Sequence, residues 1–200
     1  MQRGLDRRPL LVLFAKAPVV GTVKTRLAET VGQAAALDFH RHMLMQTAAR
    51  LRDQPGWNLL LATTPDDAPA ALWPEGIPRE RQGDGDLGAR MARLLARAQP
   101  DAPVAIVGSD IPDLVAGHIA HAFALLQAHD LVLGPAHDGG YWLIGASTSP
   151  PASLFTGVRW STAHARADTL ANAHGLRVAQ AALLHDVDDE AGYARWRGHA

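Results

Sequence analysis

A chain of 200 residues with 48% hydrophobic and 20% charged side chains is long enough for one sizeable core and short for two, so one domain over residues 1–200 is expected. A formal net charge of -1 offers no general attraction to nucleic acid or to an anionic membrane, so any phosphate recognition must come from local clustering. The absence of cysteine excludes disulfides and thiolate metal sites, and neither end carries an apolar stretch long enough for a signal or a membrane span, which makes the cytoplasm the expected compartment.

The first predicted element is a buried strand over Leu10 to Phe14, emptying into A-K-A-P-V-V-G-T-V-K-T-R-L at residues 15 to 27. Pro18 and Gly21 mark a turn-prone loop, and Lys16, Lys24 and Arg26 gather cationic charge beside an expected helix start. Strand, loop and basic helix start together form a common cradle for phosphate, because N–H groups at a helix N-terminus carry partial positive charge. Any α/β domain also has such turns, so this signal needs partners elsewhere in the chain. A Walker A loop is excluded: Gly21 lies three residues before Lys24 and no second glycine precedes it.

Helical periodicity follows over residues 33 to 52, with Leu37, Leu44, Ala48 and Leu51 on one face, and an apolar run over Leu59 to Thr63 reads as the next strand. Pro65 to Pro78 reads as a surface excursion, since its prolines break regular structure while Leu72 and Trp73 sit inside it. Residues 87 to 98 and 114 to 128 again have helical spacing, and Arg90 and Arg93 are expected on a solvated face of the first. Strands are expected at Val104 to Val107, Leu131 to Leu133 and Tyr141 to Ile144. Such alternation implies a mostly parallel sheet covered on both faces, with ligands outside the carboxyl ends of the strands.

Three acidic positions fall at those ends. G-S-D-I-P (108 to 112) puts Asp110 at the tip of a central strand, where it suits a divalent cation bridging phosphate oxygens, or else caps a helix near Leu114 or closes an Asx turn. Asp138 precedes Gly139 and Gly140 in H-D-G-G-Y-W, which reads either as a hairpin turn or as backbone that a ligand approaches closely beside Tyr141 and Trp142. D-V-D-D (186 to 189) follows an expected strand: Asp186 or Asp188 could complete a metal site with Asp110, and Asp189 reads as the N-cap of the last helix. The histidines do not form a zinc set. His40 and His42 point to different helix faces, and His118 with His121 lacks a third ligand. Trp57, Trp73, Trp160 and Trp196 are expected to be packing residues.

Together these segments resemble the GT-A nucleotide-diphospho-sugar transferase superfamily, and within it the DUF2064 family, small bacterial glycosyltransferase-like proteins of which some are associated with arsenosugar biosynthesis. The resemblance rests on F-A-K-A-P-V-V-G-T-V-K-T-R-L (14 to 27), Q-G-D-G-D-L-G-A-R-M (82 to 91), G-S-D-I-P (108 to 112), G-P-A-H-D-G-G-Y-W-L-I-G (134 to 145), V-R-W-S-T (158 to 162) and D-V-D-D (186 to 189), in family order. It implies a Rossmann-like three-layer α/β/α sandwich. It also implies a metal-dependent glycosyltransferase that takes a nucleotide-diphospho-sugar donor, a small-molecule acceptor and Mg or Mn. Lys16, Pro18, Gly21, Lys24 and Arg26 then match the phosphate loop, and Gln82, Gly83, Leu87 and Gly88 the segment near the base. Asp110 and Asp188 match the metal positions. Asp110, Lys24 and Asp138 become the catalytic candidates, and Asp138, Gly139, Gly140 and Tyr141 face the acceptor. Where the family usually has threonine after the second aspartate this chain has Asp189, which leaves Asp186 in competition for the ligand role. The K-T-R-L element also resembles 2-phospholactate guanylyltransferase, and the fold serves molybdenum-cofactor nucleotidyltransferases, so release of pyrophosphate is the alternative chemistry. A nucleotide-binding protein without turnover is a third reading.

Overall fold

The computed structural model describes residues 8–198. Within them the chain runs β1 (Leu10–Lys16), α1 (Thr25–Val31), α2 (Gln33–Leu51), β2 (Asn58–Thr64), β3 (Arg79–Arg81), α3 (Leu87–Leu95), β4 (Val104–Val107), α4 (Ala116–Leu125), β5 (Leu131–Pro135), β6 (Tyr141–Ala146), α5 (Ala165–Asn172), β7 (Val178–Gln180) and α6 (Glu190–Gly198). Single 3-10 turns at Ala70–Leu72 and Ala152–Phe155 fill two connections. The first sits in the proline-rich excursion and seats Trp73 in the core. Among the described residues, no helix is long and apolar enough to cross a membrane.

The seven strands form one sheet in the order β3-β2-β1-β4-β6-β5-β7. All neighbours pair in parallel except β6, which runs antiparallel to both β4 and β5. The mostly parallel, Rossmann-like α/β fold expected from the sequence is therefore present, with one reversed strand made possible by the short β5–β6 hairpin. Alternation sets the layers. Leu11, Leu13 and Ala15 of β1 pack with Leu44, Ala48 and Leu51 of α2 and with Ile119 and Phe123 of α4, while Val12 packs with Met91, Leu94 and Leu95 of α3. All four residues of β4 are buried, as a strand with both faces covered requires. A smaller cluster of Leu27, Phe39, Met43 and Val187, with Tyr193 and Trp196 against it, ties α1, α2 and α6 together.

The two outermost strands are the ones with the weakest pattern. β3 is Arg-Glu-Arg, and charge on an edge strand hinders pairing with another chain, so composition there obeys a different rule from that of the interior. The strand expected before D-V-D-D is the other edge, only three residues long. Caps behave more plainly. Asp86 Oδ1 accepts from the Ala89 N–H at 2.8 Å at the start of α3, and Asp189 Oδ1 accepts from the Gly192 N–H at 2.7 Å at α6, as predicted.

One helix-face expectation needs correction. Arg90 and Arg93 are not merely solvated. Arg90 Nε donates to the Gly85 carbonyl at 2.9 Å, and Arg93 donates to the carbonyls of Gln82 and Asp84, so both hold the loop before their own helix. His118, weighed as half of a zinc pair, accepts the Val115 N–H at 3.2 Å on Nδ1 and closes the start of α4.

Candidate active site

β1, β4 and β5 run parallel in the sheet, so their carboxyl ends share one edge, and the strand order turns back between β1 and β4. A cleft of about 500 Å3 opens there. One wall is the loop after β1. Lys16 ends the strand, and its Nζ donates to the Thr22 carbonyl at 2.6 Å, closing the loop on itself. Lys24 is the N-cap of α1 with a left-handed backbone at φ 46 and makes no side-chain cap bond. A non-glycine residue in that region costs roughly 1 kcal/mol, and here the side chain is used elsewhere. Its ammonium, 7% exposed, lies 2.5 Å from Asp110 Oδ2 and 2.6 Å from Asp188 Oδ1. Arg26 reaches toward the same Asp188 at 3.9 Å from open solvent. With α1 only seven residues long, side chains rather than the helix terminus supply most of the positive charge.

The carboxylates of the cleft adjoin this loop. Asp110 follows β4 and does not cap a helix, since α4 begins at Ala116 with Val115 as its cap. Burial pushes the Asp110 carboxyl up, but the Lys24 ammonium outweighs this by charge and hydrogen bond and holds it below its ordinary value. Burial likewise lowers Lys24, and the two carboxylates outweigh that and raise it. Asp138 sits on the β5–β6 turn, where its Oδ1 accepts the Gly140 N–H at 2.8 Å. The Asp-Gly-Gly segment turns a hairpin, as the first reading of it expected, and Asp138, Gly140, Tyr141 and Trp142 line the cleft. Gly139 has φ 86, and a Cβ there would fall 2.3 Å from the Ala163 carbonyl oxygen, so a side chain would displace the turn.

Asp186 and Asp188 arrive from the segment after β7. Val187 between them is buried in the α1–α2–α6 cluster, and its N–H donates to the Asp110 carbonyl at 3.3 Å. The pleat therefore turns both carboxylates to the cleft. Burial first, then the charges of Asp138, Asp110 and Asp188, push the Asp186 carboxyl up to about 6. Carboxylate oxygens of Asp138, Asp186 and Asp188 lie within 4.8 Å of one another, a spacing that could hold a metal ion.

Of the residues singled out from sequence, Lys16, Lys24, Arg26, Leu87, Asp110, Asp138, Gly140, Tyr141 and Asp188 line this cleft together, joined by Asp186. Pro18, Gly21, Gln82, Gly83, Gly88 and Gly139 are not in its lining. Gln82 is buried, its amide donating to the carbonyls of Ala15 and Ala62 at 3.2 and 3.0 Å, so it joins the ends of β1 and β2. Gly88 lets α3 approach Phe155 and Trp160, where a Cβ would meet either at 2.8 Å. Trp160 does more than pack: its ring also lines the cleft, with its Nε1 buried and unpartnered.

His40, weighed from sequence only against a zinc site, Ser161 and Thr162, named only as part of V-R-W-S-T with no role, and Ala165, not named at all, are all in the lining. His40 Nε2 donates to the Lys16 carbonyl at 2.9 Å, and burial pulls its imidazole below the ordinary value. Its position among Phe39, Met43, Leu44 and other buried residues of α2 was a usable signal. Ser161, with φ 59, carries none in its side-chain type.

The chain resembles a solved protein of Desulfovibrio desulfuricans G20, provisionally named a nucleotide-diphospho-sugar transferase: 31% identity, TM-score 0.81, covering 90% of this chain and 82% of that one. It also shares its fold with Rv0371c of Mycobacterium tuberculosis H37Rv in complex with manganese (16% identity, TM-score 0.53, 96% and 100% covered). A third likeness is to CMP:2-keto-3-deoxy-manno-octonic acid synthetase complexed with CTP (14% identity, TM-score 0.58, 96% and 98% covered). Comparison with curated proteins gives no match. A family model described as an uncharacterized protein conserved in bacteria matches residues 47–162, and the chain belongs to that family, DUF2064.

Proposed function

We propose that this protein is a metal-dependent glycosyltransferase that takes a nucleotide-diphospho-sugar donor and a small-molecule acceptor. The observation that carries the reading is the gathering of Lys16, Lys24 and Arg26 with Asp110, Asp138, Asp186 and Asp188 in the lining of one cleft at the turning point of the sheet. The 31% identical relative provisionally named a nucleotide-diphospho-sugar transferase supports it.

The residues fit a hard divalent cation. Asp138, Asp186 and Asp188 offer only oxygen donors, at the spacing noted above, and the raised Asp186 marks negative charge that the protein's own cations leave unbalanced. Asp110 with Asp188 would complete the set expected from the resemblance. Such an ion, when bound, supplies charge stabilisation for a departing phosphate. The chain's own groups have separable tasks. Lys16, Lys24 and Arg26 bind phosphate oxygens and neutralise charge as the bond to the leaving group lengthens. Asp138, exposed at the hairpin tip, orients or deprotonates an acceptor hydroxyl. Tyr141, Trp142 and Trp160 give flat apolar surface beside it, suited to the face of a sugar ring.

A second reading, nucleotidyl transfer with loss of pyrophosphate, is favoured by the shared fold with the CTP-bound synthetase. In that chemistry attack falls on the α-phosphorus rather than the anomeric carbon. A thermal-shift screen of nucleoside mono-, di- and triphosphates and nucleotide sugars, with and without Mn, separates them. Stabilisation by a nucleotide sugar is the expected result; stabilisation by a triphosphate alone transfers support to the second reading, and no stabilisation by any nucleotide overturns both.

A further inference from the structure

The two carboxylates assigned to a metal from the resemblance, Asp110 and Asp188, already share a cation. The Lys24 ammonium lies 2.5 Å and 2.6 Å from their oxygens, its side chain almost wholly out of solvent. An ammonium donates hydrogen bonds and accepts no coordination, so a divalent ion ligated by the same two oxygens and the ammonium in its present place would bring two cations within contact of one another. We propose that Lys24 is a resident counter-ion that competes with the divalent metal: the ion enters the Asp110–Asp188 pair only when the ammonium leaves it. The inference rests on the transferase reading above and adds an order to it.

Three features of the chain support the competition. Lys24, the N-cap of α1, holds a left-handed backbone although it is not glycine, and its side chain makes no cap bond but the two ion pairs. The ammonium lies 6.0 Å from the centroid of the Phe39 ring of α2 and the side chain is almost wholly buried, so the lysine is held in the site rather than meeting it from solvent. Arg26 is the contrasting case. It is 74% exposed and only 3.9 Å from Asp188, so it remains free to follow an incoming phosphate while Lys24 is held. A phosphate entering the cleft offers Lys24 an alternative anion, and its departure toward that anion vacates the carboxylate pair.

The test is Mn binding to the full-length protein without nucleotide, read as free Mn by electron paramagnetic resonance. Lys24→Met keeps the length of the side chain and removes the competitor, and it should bind Mn at least about tenfold more tightly than the parent, a modest part of what two charge-assisted hydrogen bonds contribute. Lys24→Arg restores a fixed cation and should return affinity toward the parent. Adding Asp110→Asn to Lys24→Met should remove the gain. Because Lys24→Met leaves two carboxylates unpaired and lowers stability, its melting temperature is read as well, and Mn should raise it more than it raises that of the parent. Equal affinity of parent and Lys24→Met overturns the competition, as does a gain that survives Asp110→Asn. If equal affinity comes with stabilisation by a nucleotide sugar, the transferase reading stands and only the competition falls.

Discussion

Asp110 and Asp186 face the same cleft, yet their surroundings act on them in opposite directions. Both are penalised by burial, but Asp110 has a lysine against it and is held below its ordinary value, whereas Asp186 has only other carboxylates and is pushed up to about 6. The contrast divides the acidic wall into a half that the protein neutralises itself and a half that it leaves for something else. Under the proposed function, the unpaired half is where an external cation would be recruited and the paired half where one would have to be displaced.

The largest expected effect comes from disturbing the paired half. Asp110→Asn leaves Lys24 with one partner and removes a candidate ligand. By analogy with the loss of a single stabilising group, it should lower turnover on the donor found by the screen by roughly 100- to 1000-fold. Steady-state rates, with circular dichroism to show that the fold persists, make the check. Unchanged turnover would remove Asp110 from the chemistry.

A smaller effect is expected where the unpaired half is anchored. Gly139→Ala forces a Cβ against the Ala163 carbonyl at a positive φ, so it should destabilise by about 2–3 kcal/mol. Gly21→Ala, also at positive φ but with nothing within 4 Å of the new Cβ, should cost about 1 kcal/mol. Urea unfolding of the two variants side by side tests whether crowding or backbone conformation dominates.

The smallest effect belongs to Asp186 and carries a sign. Its folded value lies above its ordinary 3.8, so its contribution to stability is fully present below 3.8 and is lost as pH rises through about 6. The full span corresponds to at most about 3 kcal/mol, and partial solvent access reduces this to about 1 kcal/mol. Asp186→Asn should therefore be more stable than the parent at pH 8 by about that amount, and the advantage should shrink as pH falls toward 4. An advantage that grows on acidification would mean that Asp186 is paired after all.

Much of the frame was legible because interior strands obey one rule. Leu10, Leu59, Val104 and Leu131 each open an apolar run, and each proved to lie in a strand. β3 escaped because an edge strand of Arg-Glu-Arg carries no apolar run at all. For the site, the positions of Lys16, Asp110 and Asp138 followed from a general property of α/β sheets, that function gathers at carboxyl strand ends. Sequence gave no access to pairings over distance. Nothing in it says that Lys24 meets residues 86 and 164 positions away, because that depends on how α1 docks on α2 and on where the segment after β7 returns. Gln82 shows the opposite limit. Its neighbours resemble a nucleotide segment, but its amide turns inward to the backbone of two strands, and a single residue type does not reveal which way it points.

Val187 gives the molecule a schedule. It is the wedge that lodges the last two carboxylates, and it follows every strand in chain order. A ribosome delivers the chain from its amino end, so the strands up to β6 can begin to pair before this wedge emerges. The nascent protein then has its lysine cradle and its first aspartates but cannot yet complete the acid wall. The acid wall closes only once the segment after β7 has docked.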